Sequence, residues 1–275
     1  MTKENSLPES LLKDIRNLSE SATEKANKLK AEAKEADRVK KVLADIDSLL
    51  NKGWYLHILE LMDKETSLLK KMRTEDHPAI PSLEKIANDQ ADILKRNFPD
   101  YLEKSWTDSN PSLDRTSRHP RYTFEGGFFQ LDVDDKKGIA HLSDYEGKLD
   151  EFPADIGAVI DAVQREHKRI FGRTFDGKKF LSKLRSQYLA VVKKEKVSDG
   201  DSIPIRHITR RLGKNQKRFR TDEFLVDLSR LVEKGPTEIK GRKLDLQQTK
   251  DTNQGMLLLG AAGRGYIGFI LFKEV

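Results

Sequence analysis

The sequence predicts a mainly α-helical chain with a small β part: an N-terminal long-helix bundle or coiled coil, then an α+β, winged-helix-like C-terminal domain. Three observations carry this. Residues 9–50 hold small or apolar side chains at steps of three and four, with no Gly or Pro to interrupt them. Period-two alternation of apolar and polar residues first shows beyond residue 121. The C-terminal part then reads helix, short helix, longer helix, β-hairpin. The expected division is residues 1–106 as helical scaffold or oligomerisation region, 107–121 as linker, and 122–275 as a basic α+β domain whose winged-helix-like part is 178–275.

The first helix is marked by Ile15, Leu18, Ala22, Ala26, Leu29, Ala33, Ala36, Val39, Leu43, Ile46 and Leu50, a seam suited to a partner helix. It ends at Gly53. Its length fits either an intrachain bundle or an arm that pairs with another chain. A second amphipathic stretch runs from Trp54 to Met72. Pro78 and Pro81 interrupt the pattern, and Ser82 is the expected N-cap of a third helix reaching about Lys104. Thr107 to Arg121, rich in Ser, Pro, Asn and Asp, reads as linker. Phe129, Leu131 and Val133 alternate, Lys136-Lys137-Gly138 turns the chain, and Ile139 and Leu142 return, which makes a hairpin or small meander.

Pro153 opens a helix that stops at Gly172, and a second follows Asp176-Gly177. In "IPIRHITRRLG" Ile205, Ile208 and Leu212 face inward on a short helix; "TDEFLVDLSRLVEKG" continues as a longer one with Thr221 as N-cap. Strands are expected near Ile239–Leu246, Met256–Leu259 and Tyr266–Phe272. The glycine-rich "GAAGRG" between the last two resembles a phosphate loop only in composition. It lacks the Lys-Ser/Thr pair and the following helix that such a loop needs, so it reads as the tip of the hairpin.

Composition narrows function by exclusion. Charged residues make up 35% of the 275 and hydrophobic residues 36%, with no cysteine. That removes disulfides, thiolate nucleophiles and cysteine metal sites. The N-terminal residues have no apolar leader segment and no stretch reaches the length of a membrane span, so a cytoplasmic, non-membrane protein is expected. His57, His77, His119, His141, His167 and His207 are scattered without metal-ligand spacing, and no GxSxG elbow occurs. No cofactor or metal is expected.

The net charge of +6 is uneven. Residues 1–100 carry 18 Lys and Arg against 19 Asp and Glu, whereas residues 160–240 carry 21 against 11. Arg206, Arg210, Arg211, Lys214, Lys217, Arg218 and Arg220 form a segment with no acidic residue. Long cationic side chains on an exposed surface suit phosphate contact. A solvated polar face is the competing explanation. Arg165, Lys168, Arg169, Arg173, Lys178, Lys179, Lys183 and Arg185 form a second basic group that could extend the surface. Arg264 stands at the hairpin tip, placed to meet a groove or phosphate if the hairpin projects. Thr221-Asp222-Glu223 opposes base reading by the longer helix, because acids there repel phosphate.

These features point to a non-enzymatic subunit that touches nucleic acid, duplex DNA above all, through Arg206, Arg210, Arg211, Lys214, Lys217, Arg218, Arg220 and Arg264. The N-terminal helices would dimerise or dock on a protein partner. Two alternatives stay open. One is an assembly subunit of a larger ATPase-containing complex with no DNA contact. The other is a metal-dependent nuclease built on Asp132 and Asp134, with Lys136 and Glu125 near them. Trp54, Tyr55, Trp106 and the cluster Phe124, Phe128, Phe129 divide between core packing and base stacking.

Overall fold

The computed structural model describes residues 9–74, 78–106, 110–144, 146–251, 253–259 and 265–275. A helical N-terminal region is followed by an α+β region with two modest sheets, and the chain divides into compact units at Met1–Phe98 and Pro99–Val275.

The first unit holds α1 (Glu9–Lys52), α2 (Tyr55–Lys64), α3 (Thr66–Thr74) and most of α4 (Ala79–Ser105). Apolar contact is confined to the end of α1: Val42 and Ile46 are buried with Ile58, Met62, Leu69, Ile80 and Ala87. Leu11, Leu12, Ile15, Leu18 and Leu29, all on the expected seam or beside it, are exposed. The stretch expected as one helix from Trp54 is two. Glu65 leaves helical geometry, and the Thr66 hydroxyl donates to the carbonyl oxygens of Asp63 and Met62, closing the first turn sequence. The third expected helix begins earlier than Ser82. Pro81 is accommodated in the first turn of α4, where its missing N–H has no intrahelical partner to lose. The Ser82 hydroxyl donates back to the Pro78 carbonyl instead of capping.

The second unit opens with an antiparallel meander: β1 (Arg121–Phe124), β2 (Phe129–Asp134), β3 (Ile139–Asp144) and β4 (Gly147–Pro153), in that order across the sheet. The outer strands were not legible in period two, but the β2–β3 hairpin was. Residues 110–120, expected as plain linker, bridge onto it through Leu113 with Phe124 and Arg118 with Arg121. Trp106 packs on Phe124 with ring centroids 4.5 Å apart, and its indole N–H donates to the Pro111 carbonyl.

Helices α5 (Ile156–Phe171), α6 (Gly177–Glu195), α7 (Ile205–Asn215) and α8 (Thr221–Lys234) follow. The second sheet is built from β5 (Ile203–Pro204), β6 (Glu238–Ile239), β7 (Arg242–Gln248), β8 (Met256–Leu258) and β9 (Gly265–Glu274). Its order is β5-β9-β7-β6, antiparallel throughout, with β8 also on β9. Leu184, Tyr188, Ile208, Leu212, Leu228 and Ile270 centre the core between these helices and this sheet. The α8 N-cap is Arg220, with Thr221 already helical, one residue from expectation. Gly268 is needed where β9 passes Thr249: an added Cβ would lie 2.9 Å from the Thr249 Cβ. Among the described residues no helix is long and apolar enough to cross a membrane.

Candidate nucleic-acid interface

Helix α7 forms because Ile205, Ile208 and Leu212 recur at three and four and bury one face. The same spacing drives Arg210, Arg211 and Lys214 to the other side. Its start is fixed by the Ile203–Pro204 strand on β9 and by the loop before it. There the Tyr188 hydroxyl donates to the Asp201 carbonyl at 2.7 Å and accepts from the Gly200 N–H. Arg185 holds Asp199 with both Nη atoms, at 2.6 and 2.5 Å. The end of α6 is thereby set beside α7, and a groove opens between them, lined by Lys194, Glu195, His207, Arg210, Arg211 and Lys214.

Glu195 is the one carboxylate on that wall, and the His207 Nδ1 lies 2.6 Å from it. Arg210, Arg211, Lys214, Lys217 and Arg218 have no carboxylate or hydrogen-bond partner among the described residues. Arg211 adds a sharper sign: its Nε is shielded from solvent with no partner. A buried unpaired donor is costly unless an acceptor completes it. The other two residues of the segment are committed elsewhere. Arg206 Nη2 donates to the Gly255 carbonyl at 2.9 Å and so ties α7 to the residue just before β8. Its Nη1 stands 3.6 Å from Glu146. Arg220 is held by Asp222 at 3.0 Å. Arg264, with Gly260 and Gly263, lies outside the described residues.

The second basic group divides the same way. Arg165 pairs with Asp150, Arg169 with Glu166, Asp222 and Glu223, and Arg173 with Glu223 and Asp227. Arg230 of α8 donates to the backbone carbonyls of Phe171 and Arg173. Arg169, Arg173 and Arg230 fasten the end of α5 and the residues just after it to α8, Arg165 ties α5 to β4, and none of the four is free for phosphate. Burial works against the charged form of Arg169, yet its hydrogen bonds to Asp222 and Glu166 outweigh that and hold the guanidinium above its ordinary value. The expected repulsion of phosphate by Asp222 and Glu223 thus takes another form: both acids face α5.

Asp132 and Asp134 are taken up by the meander. Arg121 Nε and Gln130 Nε2 each donate to Asp132 at 2.6 Å, and Asp134 accepts the Lys137 N–H of the turn. That turn hydrogen bond, aided by the Lys137 ammonium, holds the Asp134 carboxyl below its usual range. Glu125 stands 3.6 Å from His167. Among the described residues no group of three or more His, Asp or Glu could hold a metal ion. Phe124, Phe128 and Phe129 are fully buried and Trp106 nearly so, which assigns all four to core packing and not to stacking on bases.

Lys194 is the groove residue that charge counting from Arg206 onward passes over. Its signal was present in Lys193-Lys194 at the end of a helix only a short loop away from α7. Family models, curated proteins and solved structures were all compared with this chain, and none matches it.

Proposed function

We propose that this chain is a non-enzymatic, nucleic-acid-associated subunit that grips the sugar-phosphate backbone along the α6–α7 groove and the turn after α7. The observation that carries it is a contrast in pairing. Arg165, Arg169, Arg173 and Arg185 are matched to carboxylates, whereas Arg210, Arg211, Lys214, Lys217 and Arg218 are left unmatched on one segment. Unmatched cations that stand together repel one another and favour an anionic partner. The sequence of α6, β5, α7, α8, β7 and β9, with β9 between β5 and β7, supports a winged-helix comparison. In that comparison α8 takes the recognition-helix position. Its first turns are acidic and bound to α5, so affinity comes from backbone contact and base sequence goes largely unread.

The test is duplex DNA binding by fluorescence anisotropy across a salt series. Replacing Arg210, Arg211 and Lys214 with Ala lowers the slope of log affinity against log salt by about 2–3, since each phosphate contact contributes about 0.9. Arg210 and Lys214 are exposed and Arg211 is half-buried with its Nε unpaired, so the melting temperature falls by no more than a few degrees. Absence of salt-dependent binding to duplex DNA or RNA at low ionic strength overturns the reading.

A second role is supported by one observation on the first unit. Leu18 and Leu29 are 70% and 56% exposed on an unbroken helix. An apolar seam left in water favours pairing with another helix, of a second copy or of a partner protein. The chain would then couple assembly through α1 to backbone contact through α7.

A further inference from the structure

We propose that the pocket between α6, α8 and the turn joining α7 to α8 binds an unpaired nucleobase, with the attached phosphate on the turn. The inference rests on the nucleic-acid reading for the neighbouring phosphate, and it adds a preference for single-stranded or free nucleotides over paired duplex. The cavity volume is about 130 Å³ and the pocket opens to solvent, below the roughly 300–1,000 Å³ of sites that enclose a drug-sized ligand, so it admits a single small ring and leaves the rest of a nucleotide outside. Its floor is aromatic. Phe180 and Phe219 flank Phe224 with ring centroids 5.6 and 5.9 Å from it, and both flanking rings are only partly covered.

Three features favour a base over an aliphatic side chain. Partly bare phenyl faces gain by stacking on a planar ring, whatever its sequence. The Gln187 Oε1 in the pocket wall is buried and has no hydrogen-bond partner, a cost that a ring N–H or exocyclic amine relieves and a leucine or isoleucine side chain would leave in place. The rim carries cations. Arg218 has no carboxylate partner among the described residues, and Lys183 Nζ is held at 3.0 Å by the neutral Gln216 Oε1, so both charges are available to a phosphate. The acids on the far wall do not oppose this, because Arg173 holds Glu223 at 2.8 Å and Asp227 at 2.6 Å. Gln187 thus reads the donor edge, Phe219 supplies the stacking face, and Arg218 takes the phosphate.

The experiment compares the full chain with Phe219→Ala and Gln187→Leu. Each protein is titrated with an oligothymidylate single strand, a hairpin duplex and the free mononucleotides UMP, CMP, AMP and GMP. Wild type binds the single strand more tightly than the duplex at equal salt. Phe219→Ala weakens single-strand binding about tenfold or more and leaves duplex binding unchanged. Gln187→Leu removes a buried acceptor that bonds to nothing, so its melting temperature is at least that of wild type while its affinity for the single strand falls. This keeps the test sound if Phe219→Ala is poorly folded. Competition by a mononucleotide identifies free nucleotide as the ligand, and single-strand binding without such competition identifies a base within a strand. Either result supports the pocket. Single-strand affinity equal in all three proteins, with no mononucleotide bound, overturns it. Failure of the backbone-contact reading shows separately, as loss of salt-dependent duplex binding by wild type.

Discussion

Asp222 shows how a single residue decides what the neighbouring surface can do. It is 3% exposed and accepts from Arg169 at 2.7 Å, from Arg220 at 3.0 Å and from the Glu223 N–H at 2.6 Å. Burial pushes its carboxyl up, but the hydrogen bonds from Arg220 and Arg169 outweigh burial and leave it below the usual carboxylate range. A carboxyl lowered on folding stabilises the protein above the unfolded value of about 4 and loses that contribution as pH falls through its folded value. Asp227, one turn on, has the opposite sign. Burial raises it despite Arg173, so its contribution is present below about pH 4 and is lost as pH rises through its folded value. Asp222→Asn therefore costs about 1.5–3 kcal/mol in urea unfolding near neutral pH. The difference from wild type shrinks as pH falls from about 4 through the lower folded value of Asp222, where wild type also loses the charge; an equal loss near neutral pH and in acid sinks the argument. The sequence displayed every cation of the segment, but not which were spoken for. Arg206 finds its acceptor at Gly255 and Arg169 finds Asp222, both about fifty positions away, and no local pattern encodes pairings at that distance.

Elements were legible where one face alone had to be buried and the ends were signed. Helices α5 to α8 have such faces, and the Asp176 side chain caps α6 by accepting the Lys179 N–H. Strand β5 escaped because two residues, Ile203 and Pro204, carry no period and are strand by virtue of Ile270 and Phe269 on β9. Helix α4 was cut short because Pro81 marks a break inside a helix and a favourable start in its first turn, and the sequence does not say which. Helix α1 presents the sharpest question at this scale, for one seam is used twice over. Near its end Val42 and Ile46 are 5% and 4% exposed, while Leu18 and Leu29 on the same helix stand in solvent. Ile46→Asp buries a charge among Ile58, Met62 and Leu69 and unfolds the first unit. Leu18→Asp with Leu29→Asp leaves the melting temperature within a few degrees of wild type and abolishes association with a second copy, read by sedimentation equilibrium. Wild type that stays monomeric at all concentrations removes self-association as the role of the seam.

At the scale of the whole molecule, the two units differ in how much apolar surface they bury. Among the described residues, the first has a small cluster set among amphipathic helices, with much of α1 outside it. The second has two sheets, the large cluster around Leu184, Tyr188, Ile208 and Ile270, and the fully buried aromatics Phe124, Phe128 and Phe129. Stability and its denaturant dependence both rise with the area removed from water, so the first unit is the weaker. The chain contains two tryptophans, and one falls in each unit. Trp54 stands just before α2 as its N-cap, with the Lys52 ammonium 4.3 Å from its ring centroid, and Trp106 is 3% exposed against Phe124. Trp54→Phe leaves fluorescence from the second unit alone, and Trp106→Phe leaves the first. In urea, emission from Trp54 then shifts at a lower midpoint and with a shallower slope than emission from Trp106. The assembly and backbone-contact roles proposed for α1 and α7 would accordingly rest on parts of unequal stability. Coincident midpoints and slopes would show instead that the chain unfolds as one cooperative body, and that burial within each unit does not set its stability.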